Sequence, residues 1–279
     1  MQHHAIETTA RCLVCGGDSF APLISIGAWT VQKCGQCGHG VVSPFPDYEQ
    51  LAKLYDDAYF TKRYHEPLRR DNPAFTKRIR QEAHRVRFVK RFCRHGHLLD
   101  VGCGSGYFLF AARQAGFRPV GTDLTETNRR YIESELGEQL LVGDLETLPV
   151  AAETFDVITL WHTLEHHPDP AGSVRQCLRW LKKDGTLIVE VPNHDSIDAQ
   201  RYGAQWPNWD LPFHLHHFTE ESLRRLLQEV VGLRVVAVKN YRSDYVREKV
   251  TRTGILAPFA RLIARWYKGS GVLMACRRG

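Results

Sequence analysis

Seven residues, Asp100-Val-Gly102-Cys-Gly104-Ser-Gly106, limit what this 279-residue chain can fold into more than any others. They continue the apolar pair Leu98-Leu99 and lead into apolar residues at helical spacing, so they make the turn between a strand and a helix. Glycines at alternate positions let the backbone reverse sharply and let a ligand approach it with no Cβ in the way. From about residue 97 onward, strand and helix patterns alternate. Strands are predicted at 98–101, 119–123, 139–143, 155–160, 185–191 and 233–239, and helices near 106–115, 125–136, 170–182 and 219–230. That alternation predicts an α/β fold: a doubly wound, Rossmann-like sheet with helices on both faces. Ligands of such sheets bind at the carboxyl ends of the strands, where the strand order reverses.

The spacing of the glycines narrows the ligand. A dinucleotide fingerprint counted from Gly102 needs glycine at 107, where this chain has Tyr107, and no GxxxxGK[ST] is present. A GxGxG turn with Asp100 before it suits an adenosine that carries a cationic centre and no pyrophosphate.

"LLDVGCGSGYFL" resembles the first motif of the class I S-adenosyl-L-methionine (SAM)-dependent methyltransferases, and the likeness continues in order over roughly residues 75–279. The resemblance implies a seven-stranded sheet and a cofactor turn made of Asp100, Gly102, Gly104, Gly106 and Tyr107. It implies that Asp123, with Leu124 after it, accepts hydrogen bonds from the ribose hydroxyls, and that Asp144 and Leu145 meet the adenine. "FDVITLWHTLEHHPDP" resembles the fourth-strand HxLEH signature of small-molecule methyltransferases, which puts Leu160 and His162 beside the cofactor. The resemblance also implies a final strand antiparallel to the 233–239 strand, at the sheet edge. Taken singly, Asp123 reads equally as a strand-end turn former and Asp144 as a helix cap.

Methyl transfer from a sulfonium is an in-line displacement, so positioning carries much of the rate and an oxygen or nitrogen acceptor also needs a proton acceptor. His162 is one candidate. Glu165 and His166, within a turn of it, read as residues that shape the turn or cap the next helix, and His167 as structural or exposed. The stretch "WDLPFHLHHF" supplies two more candidates, His214 and His217, in an insertion at 193–217 that is long enough to be a lid. Its aromatic residues Trp206, Trp209 and Phe213, with Phe218 next to it, offer stacking surfaces for a substrate. Equally, His217 and Phe218 read as entry residues of a helix capped by Thr219. His214 and His217 could approach one metal ion, but no carboxylate stands at a ligand spacing from them.

Cys12-Leu-Val-Cys15 and Cys34-Gly-Gln-Cys37 are separated by 18 residues, a pattern that reads as a four-thiolate zinc site. With all four positions filled by cysteine, the zinc is structural. The expected organisation is a zinc ribbon over 1–46, a helical linker that caps the main domain over 47–96, and a SAM-binding domain over 97–279 with its lid at 193–217.

The net charge of +6 mildly favours anionic partners, and the basic run at 77–94 could touch phosphates. No stretch has the roughly 20 apolar residues of a membrane span, and the first residues lack the apolar run of a signal peptide, so a cytoplasmic place is expected. Ile255 to Tyr267 reads as an amphipathic helix buried on the domain or a partner, with membrane-surface contact as the alternative. The leading expectation is a methyltransferase of a small polar metabolite, such as a sugar or natural-product precursor. The chain resembles the N-terminal and central parts of sugar C-methyltransferases, which carry a further C-terminal domain beyond this length. The alternatives are a zinc-ribbon RNA methyltransferase and a non-catalytic interaction module.

Overall fold

The computed structural model describes residues 11–47, Gln50 and 67–279. The helices expected just after residue 47 fall mostly on 48–49 and 51–66, outside the described residues, as does the 1–10 segment.

The strands are β1 (Phe20–Ile26), β2 (Trp29–Cys34), β3 (Gly40–Ser43), β4 (Gly96–Val101), β5 (Phe117–Asp123), β6 (Gln139–Val142), β7 (Phe155–Trp161), β8 (Leu181–Pro192), β9 (His216–His217), β10 (Leu233–Arg242) and β11 (Lys268–Arg278). The main helices are α1 (Pro73–Val89), α2 (Tyr107–Gln114), α3 (Pro170–Trp180), α4 (Ile197–Tyr202), α5 (Glu220–Arg225) and α6 (Asp244–Arg252). A seven-stranded sheet runs in the order β10-β11-β8-β7-β4-β5-β6, and a four-stranded sheet in the order β1-β2-β3-β9. The Rossmann-like expectation is met. β11 corrects one detail, because it lies between β10 and β8 and leaves β10 as the edge strand.

The chain divides into two compact units, one of Leu54–Thr163, Gly172–Val189 and Ala275–Gly279, the other of Met1–Lys53, Leu164–Ala171 and Glu190–Met274.

In the first unit, β4 pairs in parallel with both β5 and β7, with Val101 opposite Leu160. Leu98, Leu99, Val157, Ile158 and Leu160 are fully buried, the near-continuous apolar run of a central parallel strand covered on both faces. From β4 the chain winds outward to β5 and β6 and then returns to β7 on the other side, so the order reverses between β4 and β7. α1 starts at Asn72, whose side chain accepts the Ala74 amide, with Pro73 in the first turn where its missing N–H costs nothing. The basic run it carries is partly consumed inside the unit. Buried Glu82 takes Arg78 at 2.5 Å and Arg85 at 3.1 Å, and those guanidinium groups lie over the rings of Tyr107 and Trp161. The helix expected at 125–136 begins later, at 129–130, and continues as a π-helix over Tyr131–Leu136, because 124–128 are spent turning away from the end of β5.

In the second unit, the insertion at 193–217 is built rather than open. It holds α4, a cluster in which Trp206 and Trp209 pack with Val31 and Ala199, and finally β9. β9 pairs antiparallel with β3, placing His217 opposite Gly40 and His216 opposite Val41. α5 opens with a reciprocal cap: Thr219 accepts the Ser222 amide at 3.0 Å, and Ser222 accepts the Thr219 amide at 2.9 Å.

The stretch at 255–267 is not one buried amphipathic helix. Left-handed Gly254 and Pro258 break it into short 3-10 and α turns, and only Ala260 and Ala264 are buried within them. Ile255 and Trp266 are 88% and 85% exposed. Among the described residues, no helix is long and apolar enough to cross a membrane.

Candidate functional site

The turn after β4 takes the shape its glycines permit. Gly102, Gly104 and Gly106 have φ of +67°, +54° and +72°, a region that side chains with a Cβ rarely enter. A Cβ on Gly102 would fall 2.5 Å from the Thr163 side chain, so the turn packs directly on the residue after His162. Thr163 fixes that contact by donating its hydroxyl to the Val101 carbonyl at 2.9 Å. The Gly104 amide donates to Asp123 Oδ2 at 3.0 Å, linking the turn to the end of β5. Burial raises the Asp123 carboxyl, and this bond opposes the rise.

Asp100 is buried inside β4, where its Oδ1 accepts the Thr159 hydroxyl from β7 at 2.7 Å. Burial pushes it up to about 7. Tyr107 starts α2, and its hydroxyl accepts the Leu68 amide at 2.8 Å. The Tyr131 hydroxyl donates to the carbonyl of the same residue. Leu124 stands 59% exposed beyond β5, while Leu145 and Leu160 are buried. Asp144 is exposed, and its Oδ1 accepts the Glu146 amide at 2.9 Å, so one oxygen caps the local turn and the carboxylate still faces outward. His162 is half-buried with φ of +54°, an uncommon conformation for a residue with a side chain, held at the end of β7 beside the glycine turn. The structure thus gathers Asp100, Gly102, Gly104, Gly106, Tyr107, Asp123, Leu124, Asp144, Leu145, Leu160 and His162 within one unit, around the ends of β4 to β7. Sequence reasoning passed over Thr159 and Thr163. Their only signal is a hydroxyl at the strand end, which many turns share.

The turn fits SAM. Its bare backbone admits a ligand closely, and the Asp123 carboxylate stands at the strand end where ribose hydroxyls would donate to it. The four cysteines fit a single ion. Their sulfurs all lie within 4.8 Å of one another, with Cys12–Cys37 at 3.6 Å and Cys15–Cys34 at 3.5 Å. Zinc bonded to thiolates at about 2.3 Å separates tetrahedral sulfurs by about 3.8 Å. Gly16 and Gly38, both at φ of +73°, close the two knuckles, donating to the carbonyls of Cys12 and Cys34.

Several buried histidines gather within the second unit. His39, His194, His216 and His217 are buried around the ribbon, and burial lowers all four, His194 and His216 to about 4. His216 donates from Nε2 to the Pro168 carbonyl, which leaves its Nδ1 to accept from His39 Nε2 at 3.0 Å. His217 packs against Trp209, with ring centroids 5.3 Å apart. Trp206, Trp209 and Phe218 are 2%, 4% and 1% exposed, so they form core and not the stacking surface expected of them; Phe213 alone is half-exposed. His214 lies 6.2 Å from the His217 ring, centroid to centroid, and also against His166, Glu165 and Asp210, the last two supplying the carboxylates that sequence spacing did not reveal.

This sheet order, glycine turn and acid at the end of β5 define a Rossmann-like, SAM-dependent methyltransferase. The family described as "Methyltransferase domain" matches residues 69–238, and the chain belongs to it. It is 31% identical over 185 residues to a ubiquinone biosynthesis O-methyltransferase of Coxiella burnetii, covering 62% of this chain and 75% of that one. It is 33% identical over 201 residues to the protein of the same name from Actinobacillus pleuropneumoniae, covering 66% and 82%. Among solved structures it resembles a SAM-dependent methyltransferase from Archaeoglobus fulgidus, with a TM-score of 0.55, 20% identity, and coverage of 80% of this chain and all of that one. A coclaurine N-methyltransferase bound to N-methylheliamine and S-adenosylhomocysteine gives a TM-score of 0.50 at 14% identity, covering 84% and 89%.

Proposed function

We propose that this enzyme methylates an oxygen of a small polar metabolite, of the sugar or natural-product-precursor kind, with a structural zinc holding its ribbon. The observation that carries the reading is His162, an imidazole held in a strained backbone conformation beside the cofactor turn. The names of the relatives favour an oxygen acceptor and a small molecule. SAM, when bound, supplies an already activated methyl group on a sulfonium. The chain then has three tasks. Gly102 and Gly104 let the ligand lie against bare backbone, Asp123 and Asp144 hold its ribose and adenine, and His162 accepts the proton that the acceptor hydroxyl loses. His214 and His217 serve to hold their segment instead of meeting the acceptor, because both are almost wholly buried.

An RNA acceptor is the second reading, and the basic run at 77–94 is what favours it. The buried Glu82 that binds Arg78 and Arg85 weakens that support. The test measures S-adenosylhomocysteine binding by calorimetry, then methyl transfer from labelled SAM to panels of sugars, phenols and RNA. Transfer to a hydroxyl compound, lost in His162→Ala with cofactor affinity kept, supports the proposal. Transfer to RNA alone, with affinity falling steeply as salt rises, overturns it.

A further inference from the structure

We propose that Glu165, His166, His214 and Asp210 form a second metal site, for a divalent transition-metal ion, independent of the four cysteines. All four residues lie in the same compact unit. Glu165 and His166 sit on the short helical turn Leu164–His166, and Asp210 and His214 on the bend that leads to β9. Two backbone bonds set the arrangement. The Leu215 amide donates to the Glu165 carbonyl at 2.9 Å, tying the segments together. The His214 amide donates to the Asp210 carbonyl at 3.0 Å, closing one turn that turns both side chains to the same side.

The donor atoms converge. One ligand atom from each of Glu165, His166 and His214 lies within 4.8 Å of the others. His214 Nε2 stands 3.9 Å from Glu165 Oε1 and 3.5 Å from Asp210 Oδ2. The two imidazole rings meet edge to face at 4.7 Å. Bonds of about 2.0–2.1 Å to one ion would bring such donors to about 3.3 Å from one another, a closure that side-chain rotation supplies.

The tautomers point the same way. His166 Nδ1 lies 2.9 Å from the Phe213 carbonyl, and His214 Nδ1 lies 2.9 Å from the Asn208 carbonyl. A carbonyl can only accept, so each Nδ1 carries the proton and Nε2 is the nitrogen left to bind an ion, the one that His214 presents to Glu165 and Asp210. Metal-binding histidines have this outer arrangement: the distal nitrogen donates to a carbonyl and fixes the ring. Two imidazoles with two carboxylates suit zinc, cobalt, iron or manganese better than magnesium or calcium. Asp210 itself holds a positive φ of 40°, a strained conformation kept at the cluster.

The test uses the full chain with Zn²⁺, then Co²⁺ as an optical probe, and reads metal content instead of methyl transfer. Two ions per chain are expected. Cobalt at the cysteines gives intense thiolate charge-transfer bands, and cobalt at the second site gives only weak visible bands. His166→Ala, at the half-exposed side of the cluster, and Glu165→Gln should each weaken the second ion by at least about tenfold and leave the first in place. One ion per chain in the unaltered protein overturns the site, as does full retention of both ions by His166→Ala. Circular dichroism reports whether Glu165→Gln folds; if it does not, His166→Ala decides alone.

Discussion

The Gly104 amide and the Asp123 carboxylate are joined by a 3.0 Å hydrogen bond that ties the turn after β4 to the end of β5. The bond orients one oxygen of Asp123 through the backbone of the same turn that must cradle the cofactor. With Asp123 as the proposed ribose acceptor, ribose recognition and turn shape depend on one another. Asp123→Ala should weaken S-adenosylhomocysteine at least about tenfold, roughly 1.4 kcal/mol or more. Asp123→Asn, which keeps the shape and loses the charge, should fall between. Calorimetric titration checks this, and an unchanged affinity in Asp123→Ala would show that the ligand does not use this carboxylate.

Asp100 gives a pH dependence of unusual sign. Its folded value, about 7, stands above the ordinary 3.8. As pH rises, the unfolded chain therefore loses this proton first. The resulting contribution to stability is full below about pH 4 and declines until about pH 7. Asp100→Asn should remove that decline from a series of thermal or urea melts. Thr159→Val, which deletes the hydroxyl bonded to the buried carboxyl, should cost about 1–3 kcal/mol at neutral pH.

His194 works in the opposite direction. Burial lowers it from 6.5 to about 4, while it remains bonded to the Gly38 carbonyl at 2.9 Å. Below pH 6.5 the unfolded chain takes up a proton that the folded one refuses. Stability is thus full above 6.5 and lost toward 4, by about 3 kcal/mol at the lower end. His194→Gln can keep the bond without the titration, so its acid-induced loss should be shallower than that of the unaltered protein. Melts at pH 5 and pH 8 give the comparison, and equal slopes would refute the assignment.

Cys34 is buried, and its carbonyl accepts the Gly38 amide that closes the second knuckle of the ribbon. On the proposal that the four cysteines hold zinc, Cys34→Ser should abolish zinc binding there and destabilise the β1–β2–β3 sheet, since a four-thiolate module draws its folding energy from the metal. Metal analysis and amide exchange on residues 20–43 would read both effects. Intact exchange protection after complete removal of zinc would mean that the ribbon folds without it.

What was legible in the sequence was what the backbone itself demands nearby. Gly102, Gly104 and Gly106 had to be glycine to hold left-handed conformations, and two residues between the cysteines of each pair let a tight turn bring their sulfurs together. The apolar runs at 98–101 and 155–160 announced buried parallel strands for the same local reason. The rest depended on partners far along the chain. Nothing near β11 says that it slips between β8 and β10, because neighbour choice in a sheet carries no local mark. Trp206 and Trp209 read as a substrate surface because an aromatic cluster looks alike whether its other wall is a ligand or Val31. His214 and His217 were paired by proximity in sequence, and their rings do lie 6.2 Å apart; what had no local mark is that Glu165 and His166 join His214 and that β3 joins His217. The stripe at 255–267 had helical spacing, but Gly254 and Pro258 outweighed it.

The pairing of β3 with β9 bears on how the molecule is made. His39 and His216, at the centre of that contact, lie 177 residues apart. On a ribosome adding about 5–20 residues each second, roughly 10–35 seconds separate their emergence. Through that interval the nascent ribbon shows an open β3 edge, the kind of edge onto which a strand from another chain can add. Only the synthesis of His216 and His217 supplies the two-residue strand that covers it.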